Sequence, residues 1–266
     1  MRQERFAVQP DTVDQFMRDG YAVVASPLSD ETLEQLRSRH DEIFPSWRDT
    51  EWPEDVHKLA SQFCLMGEPA FELAERPDFL EAACTVLGVD EVFVGACAAG
   101  DTVTAESIDG RPVTSLQWHS APGRGGQYGE PWQQVAFRFP MDVHDKSNGG
   151  LHLIPGTQDL PKKEAEQEIH DQVAKSDDFL EWKGLFFGTH PDQVVLYPVP
   201  GDMIIWTPNV WHCTGANPQH ARRRSITWTY FPAGGRFRDS GTLRHVLGDD
   251  RIASWTPERR RLWGVA

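Results

Sequence analysis

An all-β core with flanking helices is the fold class that the sequence predicts, and three observations predict it. Up to Gly88 the apolar residues recur at helical spacing between capping and stop signals. From Val89 onward they gather instead into short runs separated by Gly, Pro and Asp turns, the pattern of an antiparallel sandwich or jelly roll. The length of 266 residues suits one large domain with a single buried core. The expected organisation is therefore one domain over 1–266, with N-terminal helices over 10–88, a jelly-roll core over 89–235 and no repeat.

The elements follow in chain order. Asp11 is placed to cap a helix running through Arg18, which Asp19-Gly20 stops, and Tyr21-Ala22-Val23-Val24 reads as a short strand. Ser29-Asp30-Glu31 caps a second helix with Leu33, Leu36, His40 and Ile43 on one face, ending near Phe44-Pro45. Ser46 to Val56, rich in Trp, Pro and acid, reads as a loop. A further helical region carries Phe71, Leu73, Phe79, Leu80, Ala83 and Leu87. Strands are expected at Val92–Ala98, Val113–His119, Gln134–Phe139, Leu151–Ile154, Val194–Val199, Met203–Trp206 and Ser225–Phe231. The polar segment 159–192, helical around Glu164–Lys175, interrupts the strands and reads as a lid or binding insertion.

Composition narrows the partners. A net charge of -14 and a pI near 5.1 disfavour nucleic acid and anionic membrane surfaces, which need concentrated Lys and Arg. A small molecule is the expected partner; oligomeric state is not readable. Cys64, Cys84, Cys97 and Cys213 form no CxxC pair or framework spacing, and MRQERFAVQP lacks the apolar run of a signal peptide. No window approaches the ~20 apolar residues of a spanning helix, and the mean hydropathy is -0.50. A reducing, cytoplasmic compartment is the expectation.

Two histidines stand in matching contexts: His119 ends one apolar run, and His212 follows Met203-Ile204-Ile205-Trp206 and a turn. Distant strands of a jelly roll can meet at its mouth, so the pair is a candidate for metal ligation. Gln117 precedes His119 by two residues and shares its strand face; it can look into the same pocket or pack in the core. Beyond His212 comes Arg222-Arg223-Arg224-Ser225-Ile226-Thr227. Strand alternation puts Arg223, Ser225 and Thr227 on one face and Arg222, Arg224 and Ile226 on the other. An inward Arg223 needs an anionic partner such as a dicarboxylate; the alternative is a surface cluster pairing with acids. Gly123-Arg124-Gly125-Gly126-Gln127 lacks the Lys of a phosphate loop and reads as a substrate-side loop, and His152, alternating opposite Leu151 and Leu153, reads as structural.

Most of the chain resembles the phytanoyl-CoA dioxygenase-like branch of the iron(II)/2-oxoglutarate oxygenases. The residues that carry the resemblance are Gln15-Phe16-Met17-Arg18-Asp19-Gly20-Tyr21, Trp118-His119, Asn148-Gly149-Gly150-Leu151-His152-Leu153-Ile154-Pro155-Gly156-Thr157, Pro200-Gly201-Asp202-Met203, and His212-Cys213-Thr214-Gly215-Ala216-Asn217 through Arg223-Arg224-Ser225-Ile226. The resemblance implies a double-stranded β-helix, the cupin-like jelly roll. It also implies His119 and His212 as iron ligands, Arg223 as the partner of the distal 2-oxoglutarate carboxylate, and Thr214 as a hydroxyl donor to that group.

Hydroxylases of the family carry His-x-Asp, and this chain has His119-Ser120-Ala121. His-x-Ala resembles the iron/2-oxoglutarate halogenases, in which chloride binds iron where the carboxylate would be. Removing the carboxylate of the two-histidine-one-carboxylate face leaves room and an electrostatic need for an outside anion. Ala121 is thus the expected halide seat. With iron(II), 2-oxoglutarate and chloride, the expected activity is chlorination of an unactivated C–H bond in a freestanding small metabolite. The alternatives are a hydroxylase or related oxidative enzyme, either an Asp-to-Ala variant or one borrowing a carboxylate such as Glu130 or Asp142, and an inactive binding module.

Overall fold

In a computed structural model, the structure is described for residues 6–44, 57–101, 107–121, 134–218, 222–233 and 240–265. The loops expected at Ser46–Val56 and Gly123–Gln127 lie outside the described residues. Helix α1 spans Pro10–Asp19. Its cap differs from the expectation: Gln9 is the N-cap, without a side-chain bond, because Pro10 takes the first helical position and moves Asp11 into the first turn. Gly20 ends it in the left-handed region at φ 80°, which costs glycine little. Strand β1 is Tyr21–Val24 and α2 is Asp30–Ile43, where the Ser29 hydroxyl accepts from the Thr32 N–H as its capping position predicts.

The third helical region is three helices, α3 Lys58–Met66, α4 Glu68–Ala74 and α5 Pro77–Leu87, broken at Gly67 and before Pro77. The strands are β2 Val92–Asp101, a hairpin of β3 Ser107–Ile108 and β4 Arg111–Pro112, then β5 Val135–Pro140 and β6 Leu151–Ile154. After β6 come α6 Lys162–Val173, a second hairpin of β7 Leu180–Trp182 and β8 Leu185–Phe187, β9 Val194–Leu196, β10 Met203–Trp206, β11 Trp211–Thr214 and β12 Arg224–Pro232. Helices α7 Ser240–Leu247, α8 Asp249–Ala253 and α9 Pro257–Leu262 close the chain.

Two antiparallel sheets face each other without forming a closed barrel. The larger has the order β1-β10-β5-β12-β2 and the smaller β11-β6-β9. The expected strand Val113–His119 is instead an irregular extended segment joined to the smaller sheet's β11 side by isolated bridges, Ser115 to Gly215 and His119 to His212. Three apolar layers hold the arrangement. Between the sheets lie Ala136, Leu151, Leu153, Ile204, Trp206 and Val210. Behind the larger sheet, Phe137, Phe139 and Trp228 pack on Phe63 and Phe79 of the helices, with the Trp228 ring stacked 5.4 Å from Phe139. Behind the smaller sheet, Trp118, Ile154, Trp211 and Cys213 meet Ala165, Ile169 and Val173 of α6.

These layers assign faces to the residues of β5 and β12. On β5, Ala136 belongs to the inner layer and Phe137 and Phe139 to the outer one, so alternation turns Arg138 inward. On β12, Ile226 and Trp228 pack outward, which turns Ser225 and Thr227 inward. Asp202 of the Pro-Gly-Asp turn accepts from the Ser26 and Val199 N–H groups and fixes the approach to β10. None of the four cysteines forms a disulfide, and among the described residues no helix is long and apolar enough to cross a membrane.

Candidate metal centre

His119 and His212 meet through their backbones. The His119 N–H donates to the His212 carbonyl at 3.0 Å and the His212 N–H returns the bond at 2.9 Å. This pairing sets the ring centroids 4.1 Å apart. Each ring is then fixed by the chain two residues before it: Nδ1 of His119 lies 3.0 Å from the Gln117 carbonyl and Nδ1 of His212 lies 2.7 Å from the Val210 carbonyl. A carbonyl only accepts, so both Nδ1 atoms carry the proton and both Nε2 atoms keep a lone pair. His212 is 7% exposed, and burial first, then the neighbouring His119 and Arg138, holds its pKa well below the ordinary range. A neutral imidazole is the form a metal requires.

The walls follow from strand alternation. Trp118 packs outward with its indole N–H on the Gly188 carbonyl at 2.8 Å, which leaves Gln117 and His119 on the interior face. Trp211 and Cys213 are likewise outward, so His212 and half-buried Thr214 face inward. His152 lies on the outer face of β6, opposite Leu151 and Leu153. The Trp206 ring stands edge-on to His212 at 4.5 Å. Ala121 donates its N–H to the Pro208 carbonyl at 2.7 Å, which ties the segment after His119 to the turn before His212.

The arginine triplet divides as its alternation predicts. Arg222 pairs with Asp41, and Arg224 pairs with Asp41 and Asp142. Arg223 is 1% exposed and turns to the interior, where its Nη1 donates to the carbonyls of Asn148 and Gly215 at 2.5 and 2.8 Å. Gly149 explains part of the Asn-Gly-Gly motif. At φ 80° a Cβ there would stand 2.5 Å from both the Ala216 carbonyl and Arg223 Nη1, so only glycine leaves the guanidinium its place.

Asp142 corrects the expectation that it could be lent to a metal. Its carboxylate takes Arg224 Nη2 and Nε at 2.6 and 2.8 Å and the Arg224 N–H at 2.8 Å. Burial pushes this carboxyl up, and the bonds from Arg224 outweigh it and hold it below the usual carboxylate range. A depressed folded pKa means that the stabilisation is complete above the unfolded value and disappears as pH falls through the folded one. Asp142→Asn is expected to cost about 3 kcal/mol near neutral pH, the lower end for breaking a buried pair. In urea melts the gap to wild type narrows below about pH 4, where the unfolded carboxyl protonates; a gap independent of pH would contradict this. Glu130, the other carboxylate considered, lies outside the described residues. Among the described residues, no three His, Cys, Asp or Glu side chains gather as a metal site.

Sequence reasoning missed Arg138, an inward cation between two outward aromatics in Phe137-Arg138-Phe139. The signal was present in that alternation. It also missed His144, which is 4% exposed in the turn after β5.

Residues 16–225 match the phytanoyl-CoA dioxygenase family. Among curated proteins, none matches the chain. Several solved structures share the fold. AviO1 from Streptomyces viridochromogenes Tue57 is 15% identical with a TM-score of 0.61, covering 85% of this chain and 96% of its own. The non-heme alpha ketoglutarate dependent epimerase SnoN from nogalamycin biosynthesis is 15% identical with a TM-score of 0.58, covering 84% and 82%. EctD from S. alaskensis, solved with bound Fe, is 17% identical with a TM-score of 0.60, covering 86% and 79%.

Proposed function

The chain belongs to the phytanoyl-CoA dioxygenase family of iron(II)/2-oxoglutarate oxygenases, and from that premise we propose that it is a halogenase, chlorinating an unactivated C–H bond of a freestanding small metabolite. The observation that carries the reading is the bridged pair His119 and His212 with Ala121 two residues beyond the first. Both Nδ1 atoms are engaged by carbonyls, so the pair fits an iron held through the two Nε2 atoms. Ala121 offers no anion, and its methyl leaves the third place on that face to chloride.

When bound, iron(II) and 2-oxoglutarate supply the dioxygen-driven oxidation of the C–H bond. The chain's own residues position and enclose. Arg223 would hold the distal carboxylate of 2-oxoglutarate, with Thr214 and Gln117 on the same interior as further polar contacts. Asn148 and Gly215 hold the Arg223 guanidinium in place beforehand through their carbonyls. Arg223→Ala is expected to weaken 2-oxoglutarate binding by about 2–5 kcal/mol, the scale for one partner of a buried charge pair; an unchanged affinity would exclude this role. The charge of -14 disfavours delivery of the substrate on an acidic carrier protein.

A second reading is an oxygenase working without halide, its third iron ligand coming from residues such as Glu130. The folds of SnoN, an epimerase, and of EctD, solved with 2-oxoglutarate and 5-hydroxyectoine, favour it. Anaerobic addition of iron(II) and 2-oxoglutarate, followed by oxygen with and without chloride, separates the readings. Chloride-dependent succinate release supports the halogenase, and release without chloride supports the second reading. No iron-to-cosubstrate charge-transfer band would mean a binding module.

A further inference from the structure

The interior holds more positive charge than one cosubstrate contact requires. Arg138 sits in the middle of β5, opposite Thr227 on one side and Ile204 on the other, both inward-facing neighbours. Among the described residues it has no hydrogen bond or ion pair, and burial alone lowers its guanidinium to about 10. An inward-facing, half-buried cation with no acid beside it is placed to receive an anion from outside, and a chain that needed only packing could have used an apolar residue there. The two fully buried arginines of this region are held, Arg224 by Asp142 and Arg223 by two carbonyls, while Arg138 is half-buried on the inner face of its strand.

A second observation marks where the missing anion belongs. His144 is 96% buried by its 4% exposure, and its Nε2 has no hydrogen-bond partner. Burial, then the charges of Arg138 and Arg223, lower its pKa to about 3. His144 is held in the turn that Asp142 and Asn148 pin to Arg224 and Arg223. Arg138 stands opposite Thr227, on the same interior face that Arg223 enters four residues before that threonine.

We propose that Arg138 is a second anchor for the distal carboxylate of 2-oxoglutarate, reaching it from β5 while Arg223 reaches it from the residue just before β12. This rests on the iron/2-oxoglutarate reading and adds to it: the cosubstrate is selected as a dicarboxylate by two guanidiniums, one on β5 and one at the entrance to its neighbour β12. Arg138 is a positioning residue of the cosubstrate.

The test is anaerobic titration of the iron(II)-loaded protein with 2-oxoglutarate and with 2-oxopentanoate, which has the same length and lacks the distal carboxylate, read by the charge-transfer band. Wild type is expected to prefer 2-oxoglutarate strongly. Arg138→Met and Arg138→Gln are expected to weaken 2-oxoglutarate by roughly 30-fold or more, the scale of losing one partner of a buried charge pair, and to leave 2-oxopentanoate unchanged. Thermal melting of the metal-free variants is expected at or above the wild-type midpoint, since an uncompensated, partly buried charge has gone. Equal weakening of both acids, unchanged 2-oxoglutarate affinity or a markedly lower melting midpoint would each overturn the proposal. If wild type gives a band with 2-oxoglutarate while the variants bind it equally well, the second anchor fails and the oxygenase reading stands; if wild type gives no band with either acid, both fail.

Discussion

Alanine at either His119 or His212 is expected to abolish iron binding and turnover together. The two imidazoles would be the protein's entire contribution to the metal, and each is pre-set by a carbonyl on its Nδ1. Losing one leaves a single ligand, which cannot define a face. Elemental analysis of protein reconstituted anaerobically checks this directly. Full iron occupancy in either variant would remove the pair from the metal. The cost to folding is expected to be small for His119→Ala, because His119 is exposed and its bridge to His212 is made by backbone atoms. Retained melting behaviour separates loss of metal from loss of fold.

Ala121→Asp has the second large effect. An aspartate two residues beyond His119 can reach a metal at ~2.0–2.2 Å, by analogy with carboxylate–zinc distances. The carboxylate and chloride would compete for one place on the iron, and the carboxylate is part of the chain. Halogenation should therefore be lost, whether or not hydroxylation appears, while iron affinity holds or rises. Wild-type chlorination by Ala121→Asp would show that the halide binds elsewhere.

Much of this architecture is legible in the sequence because local and tertiary signals agree. Ser29 stands where its hydroxyl can cap α2, and Leu151–Ile154 and Met203–Trp206 are apolar runs in strands whose two faces are both covered by packed layers. The opposite faces of Arg223 and Arg224 follow from the period of a strand. What was not legible depended on contacts between distant segments. Helix α9 buries none of its own residues fully, and Trp255 and Trp263 on either side of it pack on Phe71 at 5.6 and 4.7 Å. The segment before His119 has an apolar run but pairs through isolated bridges, so its pattern overstates its regularity. By sequence alone Asp142 is one more available carboxylate; its three bonds to Arg224 are tertiary contacts that no spacing announces. Arg138 was readable from alternation, yet a single charge in an apolar strand carries meaning only once both faces of the sheet are known to be covered.

The central claim is that the third place on the iron, beside His119 and His212, is taken by a halide. Iron X-ray absorption of the anaerobic iron(II)/2-oxoglutarate protein, prepared in chloride and then in bromide, tests it without knowledge of the substrate. The account predicts a halogen scatterer at the iron whose distance and amplitude change with the halide, and its disappearance in Ala121→Asp. A first shell of nitrogen and oxygen alone, identical in both salts, would contradict it.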